Sequence, residues 1–133
     1  MTADTSIEGA RPAPDLSTPE RTMASFVAHV HSGDLEALMT LYEPDAVFHP
    51  SSGGVLTGTD EIQGGLAQLL ALHPTMSVQV SEALTTGDIA LVVNEWSITG
   101  TAPDGTDVAD GGRSADVLRR QADGRWLVLI DHP

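Results

Sequence analysis

Apolar side chains at Met23, Phe26, Val27 and Val30 recur every three or four residues, the interval that aligns one face of an α-helix. That helix is expected to open at Ser17-Thr18-Pro19-Glu20 and to end at Gly33. Ser17 and Glu20 stand at capping-box spacing, and Pro19 suits a first turn whose N–H groups have no helical partner. Asp34 can cap a second, shorter helix with Leu35, Leu38, Met39 and Tyr42 on one side. Pro44 stops it, because proline lacks the N–H that another turn would use. Residues 45–49 read as a short strand and 50–54, Pro-Ser-Ser-Gly-Gly, as a loop. A third helix opens at Thr59-Asp60-Glu61, carries Ile62, Leu66, Leu69 and Leu70 on one face, and closes before Pro74.

After residue 75 the pattern becomes that of strands. Val78 and Val80, then residues 89–98, 114–121 and 126–131, read as strand segments. They are separated by Thr86-Gly87-Asp88, Ala102-Pro103-Asp104-Gly105 and Ala122-Asp123-Gly124, which are turn sequences, so four strands are expected to pair as an antiparallel meander. Gly111-Gly112 suggests a bulge or bend that would let the sheet curl around the helices. Residues 1–17 contain prolines and small polar residues with almost no large apolar side chains, and are expected to form a flexible tail. One domain over 18–133 is what this length supports.

Composition narrows the function classes. Nineteen acidic against six basic residues give a net charge of −13, which repels nucleic acid and anionic membrane, so neither is expected as a partner. There is no cysteine, which removes disulfides, thiolate nucleophiles and cysteine-held metals. No apolar run approaches the length of a bilayer span, and the N-terminal residues lack the basic start and apolar stretch of a secretory signal; a cytoplasmic protein is expected. No GxSxG elbow, phosphate-cradling glycine loop or dinucleotide fingerprint occurs, and no cofactor is expected. His29 and His31 lie two apart on a helix and so diverge, which argues against a metal.

The local text also resembles a known superfamily. Ser32-Gly33-Asp34-Leu35-Glu36-Ala37-Leu38, then Leu41-Tyr42-Glu43-Pro44-Asp45-Ala46-Val47-Phe48, then Gly58-Thr59-Asp60-Glu61-Ile62 is similar to the signature of the nuclear transport factor 2 (NTF2) and ketosteroid isomerase superfamily. Asp116-Val117-Leu118-Arg119-Arg120 and Asp123-Gly124-Arg125-Trp126 resemble the last hairpin of its ketosteroid isomerase-like, SnoaL-like and DUF4440 groups. The resemblance implies an α+β, cone-shaped NTF2-like (cystatin-like) fold, with three N-terminal helices packed on a strongly curved antiparallel sheet. It does not by itself fix an activity, since this fold hosts isomerases, dehydratases, hydrolases, cyclases and non-catalytic binding or assembly domains.

Position by position, the resemblance puts the isomerase's tyrosine donor at Phe26, which has no hydroxyl, and its catalytic base at His49 of His49-Pro50. The second donor, an aspartate kept protonated by apolar surroundings, falls on Asp116. Histidine can act as a base near neutral pH. His49 is alternatively a strand-end or surface group, and Asp116 a structural carboxylate or a partner of Arg113. Asn94 and Trp96 share one strand face, where Trp96 is a pocket wall, a core residue or an interface residue. Asp131 shares a face with Leu127 and Leu129 by alternation, and as a second inward carboxylate would raise the pKa of Asp116. The expected site is a small-molecule pocket walled by Phe26, Val30, Leu66, Leu70, Met76 and Trp96, in which His49 and Asp116 move a proton on an apolar carbonyl compound. The alternative is a non-catalytic ligand-binding or assembly domain. A homodimer through the outer sheet face is expected, built on Trp126, Val128 and Ile130.

Overall fold

The computed structural model describes residues 15–133. Three helices, α1 (Pro19–Ser32), α2 (Leu35–Met39) and α3 (Gly58–Leu70), pack on one six-stranded sheet. Its strands are β1 (Tyr42–Phe48), β2 (Leu56–Thr57), β3 (Thr75–Thr86), β4 (Ile89–Thr101), β5 (Asp107–Arg120) and β6 (Trp126–His132), in the order β2-β1-β6-β5-β4-β3. The meander from β3 to β6 is antiparallel, but β1 joins β6 in parallel, so the sheet is mixed rather than wholly antiparallel.

The ends of the helices follow from local chemistry. Thr18, not Ser17, caps α1: its hydroxyl accepts from the Arg21 amide at 3.2 Å, while Ser17 turns to Asp15. Gly33 closes the helix at φ 67°, a left-handed conformation that favours glycine. The Asp34 carboxylate accepts from the Ala37 amide at 3.0 Å to start α2. At the start of α3 the Thr57 amide donates to Glu61 Oε1 at 2.8 Å.

Several expectations are corrected. Of the segment expected to be a tail, residues 1–14 lie outside the described residues, but order is already present at Leu16, which is 5% exposed and accepts from the Trp126 amide at 2.8 Å. Tyr42 does not continue α2. It begins β1, because pairing with β6 satisfies the backbone there: the Leu41 carbonyl accepts from the Val128 amide at 2.7 Å and Tyr42 lies opposite Val128. Pro44 falls where the β1–β6 register shifts, between Tyr42 and Val47, a place where a missing N–H breaks no ladder bond.

Gly111 and Gly112 lie in continuous register with Ser97 and Trp96, and no bulge occurs there. Glycine at 111 instead permits close strand contact, since a Cβ would lie 2.8 Å from the Trp96 carbonyl oxygen. The irregularities in the long strands occur between Val80 and Glu82 on β3 and opposite the Val117–Leu118 step of β5. In the second, Val117 pairs with Ile130 and Leu118 with Val128, which leaves Leu129 as the extra residue of β6. That extra residue resets the alternation. Trp126 and Val128 face inward, 5% and 2% exposed, and Ile130 alone of the three expected interface residues faces out.

Helices and inner sheet face enclose a core in which Leu38, Leu41, Ile62, Leu66 and Leu118 are inaccessible to solvent. Leu118→Ala is expected to lower unfolding free energy by about 2–5 kcal/mol, because the rigid surroundings cannot fill the space it leaves. Urea denaturation checks this, and a loss under about 1 kcal/mol would mean that β5 does not pack as described.

Candidate functional site

The curved sheet and the helices leave a cavity of about 720 Å³ between them. α1 contributes Met23 and Phe26, β1 contributes Phe48, and β3 and β4 contribute Met76, Val78, Asn94, Trp96 and Ile98. On the α3 side Leu66 and Leu69 meet Gly64 and Gly65; a Cβ at Gly65 would lie 2.6 Å from Leu56 Cδ1, so glycine lets β2 approach the helix. The Ser51 hydroxyl donates to Asp110 Oδ2 at 2.8 Å and ties the loop after β1 to β5 at the cavity wall.

Two carboxyl groups meet inside. Asp116 on β5 and Asp131 on β6 are directly opposed in the ladder, and both line the cavity. Asp116 is 5% exposed; Asp131 is less buried as a residue, but the Tyr42 hydroxyl closes over its carboxylate and donates to Oδ2 at 2.5 Å. Asp116 Oδ1 accepts from the His132 amide at 3.1 Å, and Oδ2 accepts from Asn94 Nδ2 at 2.9 Å. Asn94 Nδ2 also reaches Ser114 Oγ at 3.0 Å.

Burial, then the neighbouring Asp131 charge and hydrogen bond, push the Asp116 carboxyl up to about 8. Burial also raises Asp131, opposed by hydrogen bonds from Tyr42 and Asp116. Two carboxylates this close cannot both ionise cheaply, so the pair retains a proton that Asp116 holds up to about pH 8. Burial, with Asp131 next, drives Tyr42 well above an ordinary phenol, so it remains a donor.

Of the residues singled out from sequence, the cavity lining takes in Phe26, Leu66, Met76, Asn94, Trp96, Asp116 and Asp131. Val30, 2% exposed, belongs to the core beside the cavity, and Leu70 packs against that core. His49 is corrected: it is not part of the lining, and its ring stacks on His132 with centroids 5.0 Å apart. Phe48 lines the cavity instead, because successive residues of a strand point to opposite faces.

Tyr42, whose hydroxyl meets Asp131, is the residue beside the carboxyl pair that sequence reasoning missed. Its helical spacing from Leu35 and Leu38 concealed a strand residue, although a tyrosine is a common choice for a buried strand position that also supplies a hydroxyl. Phe26 lies edge-on to it at 6.4 Å, so a phenol comes from β1 while the α1 position carries none. His31 has a structural use, its Nε2 accepting from the Met76 amide at 2.9 Å. Among the described residues no three His, Asp or Glu side chains gather as a metal site, and no helix is long and apolar enough to cross a membrane.

Helices folded over a curved mixed sheet, with a cavity at the interface, define an α+β protein of the cone-shaped, cystatin-like NTF2 type. The chain belongs to the SnoaL-like domain family, whose model matches residues 23–129. No curated protein matches. Among solved structures it is similar to a ketosteroid isomerase-like protein from Erwinia carotovora atroseptica, at 20% identity and TM-score 0.76, covering 90% of this chain and 94% of that one. It is also similar to a dehydratase candidate of the NTF2-like family from Streptomyces avermitilis, at 22% identity and TM-score 0.75, covering 91% and 96%. An NTF2-like superfamily protein from Salmonella enterica matches at 15% identity and TM-score 0.69, covering 84% and 83%. At these identities the likeness establishes the fold.

Proposed function

We propose that this protein is a cofactor-free proton-transfer enzyme acting on an apolar carbonyl compound, in an isomerisation, dehydration or cyclisation. The observation that carries the reading is the opposed Asp116–Asp131 pair in an otherwise largely apolar cavity. Asp131, as carboxylate, takes the proton beside the carbonyl; Asp116, as acid, donates a hydrogen bond to the oxygen on which enolate charge develops. The proton held by Asp131 is then returned at another carbon or to a leaving group. Tyr42 orients Asp131, as Asn94 and the His132 amide orient Asp116. The base role first given to His49 passes to Asp131, since the His49 ring stacks on His132 outside the cavity lining.

The test is exchange of the C2 protons of 1-tetralone in deuterated buffer, followed by NMR. The protein is expected to accelerate exchange above the buffer rate. Binding of the ketone with no acceleration would support the non-catalytic alternative.

The second copy expected through the outer sheet face remains a proposal, now on different residues. Leu84, Leu91, Val117 and Ile130 lie side by side across β3, β4, β5 and β6, with Leu84, Leu91 and Ile130 exposed by 55%, 37% and 40%. Such a row costs free energy in water and gains it against a copy of itself. Light scattering is expected to give a dimer at micromolar concentration and a monomer for Leu91→Asp; a monomeric parent would rule the dimer out.

A further inference from the structure

Two buried polar atoms of the cavity residues have no hydrogen-bond partner in the protein. One is the acceptor Asn94 Oδ1, on a residue 1% exposed; the other is the donor Trp96 Nε1. They belong to same-face positions of β4, two residues apart, and both side chains line the cavity. Nothing on the neighbouring strand reaches the indole nitrogen: its cross-strand partner is Gly112, where even an added Cβ would stop 3.8 Å away. Leaving a buried donor and a buried acceptor unpaired costs free energy that a ligand bonding to both would recover.

One chemical group complements the two together. A hydroxyl donates once and accepts as well, so a single ligand hydroxyl can give its proton to Asn94 Oδ1 and accept from Trp96 Nε1. The titratable side chains that line the cavity are Glu61, Asp110, Asp116 and Asp131, all carboxyl groups, with no basic side chain among them. Anionic ligands therefore meet like charge and no compensating cation along the lining.

We infer that the cavity selects uncharged hydroxyketones, with the carbonyl at the Asp116–Asp131 pair and a second oxygen, a free hydroxyl, held between Asn94 and Trp96. This rests on the reading of the carboxyl pair as the reacting groups and adds what the polar atoms beside that pair recognise. Simple ketones lack the second oxygen; ethers accept from Trp96 but give nothing to Asn94; carboxylated ketones are repelled.

The test compares 6-hydroxy-1-tetralone, 6-methoxy-1-tetralone, 1-tetralone and 6-carboxy-1-tetralone by calorimetry, with the Trp96 indole N–H read by NMR and assigned through Trp96→Phe. The hydroxyketone is expected to bind at least about tenfold more tightly than 1-tetralone and the methoxy compound, and to shift the Trp96 resonance. The carboxylated compound is expected to bind most weakly. Trp96→Phe, which keeps an aromatic wall, is expected to erase most of the hydroxyl preference. Equal affinity for hydroxyl and hydrogen, equal or tighter binding of the carboxylate, an unmoved indole resonance at saturation, or no binding by any of the four would overturn the inference. Deuterium exchange on 1-tetralone without a hydroxyl preference leaves the proton-transfer reading standing and removes this one. A hydroxyl preference without exchange does the reverse.

Discussion

Asp116→Asn is expected to slow C2 deuterium exchange of 1-tetralone by about 10²- to 10⁴-fold, the range that a positioned acid or base contributes. An amide keeps the shape but is a far weaker acid than a carboxyl, so the hydrogen bond it offers the developing enolate oxygen is weaker. Asp131→Asn should cost as much or more, because it removes the base, and the double variant should be little worse than the slower single one, since two groups that act as a unit lose their effect together. In the parent, exchange should fall as pH rises through about 8, where Asp116 loses its proton and the pair becomes doubly charged. Initial rates across pH 5 to 10 test all of this. If Asp116→Asn exchanges as fast as the parent, or the alkaline limb survives in that variant, the carboxyl pair is not the proton-transfer device.

The same pair makes the fold sensitive to alkali. The folded state holds the Asp116 proton up to about pH 8, whereas an unperturbed aspartate loses it near 3.8. Between those two values the folded chain binds more protons than the unfolded chain, so stability contributed by this group is complete below the lower value and is lost as pH rises through the upper one. The slope approaches about 1.4 kcal/mol per pH unit, and the total reaches a few kcal/mol. Glu43 acts in the opposite sense: its hydrogen bond to Arg119 lowers it, so its contribution is present at neutral pH and is lost in acid. Urea unfolding from pH 5 to pH 9 is therefore expected to show a parent that weakens as pH rises to about 8 and levels off above it. Asp116→Asn, with no charge to bury, should be flatter with pH and should gain on the parent up to about pH 8. A variant that keeps the parent's slope would place the effect elsewhere.

The NTF2-like fold was legible in the sequence because its evidence is local and repeated. Each helix carries its own cap, apolar face and stop, and turn residues such as Gly87, Gly105 and Gly124, all at positive φ, fall between β-rich segments. The candidate site was legible in part. Asp116 was found through the resemblance and Asn94 through its alternation with Trp96, and the unbroken register between β4 and β5 brings the two together. Asp131 was assigned to the inner face by an alternation that Leu129 interrupts, so its true neighbours on that face include Val128 rather than Leu127 and Leu129.

The residues themselves determined the helix faces, the antiparallel meander, the acidic surface, the absence of thiol chemistry, and the presence of an inward carboxylate on β5. Tertiary structure alone decided that β1 runs parallel to β6, that Tyr42 leaves the helix to reach Asp131, and that Phe48 rather than His49 lines the cavity. The physical reason is that a period of two defines two faces without saying which is inner, and one extra residue exchanges them. Strand pairings between distant segments, such as Tyr42 with Val128, settle that choice through hydrogen bonds that no local pattern records.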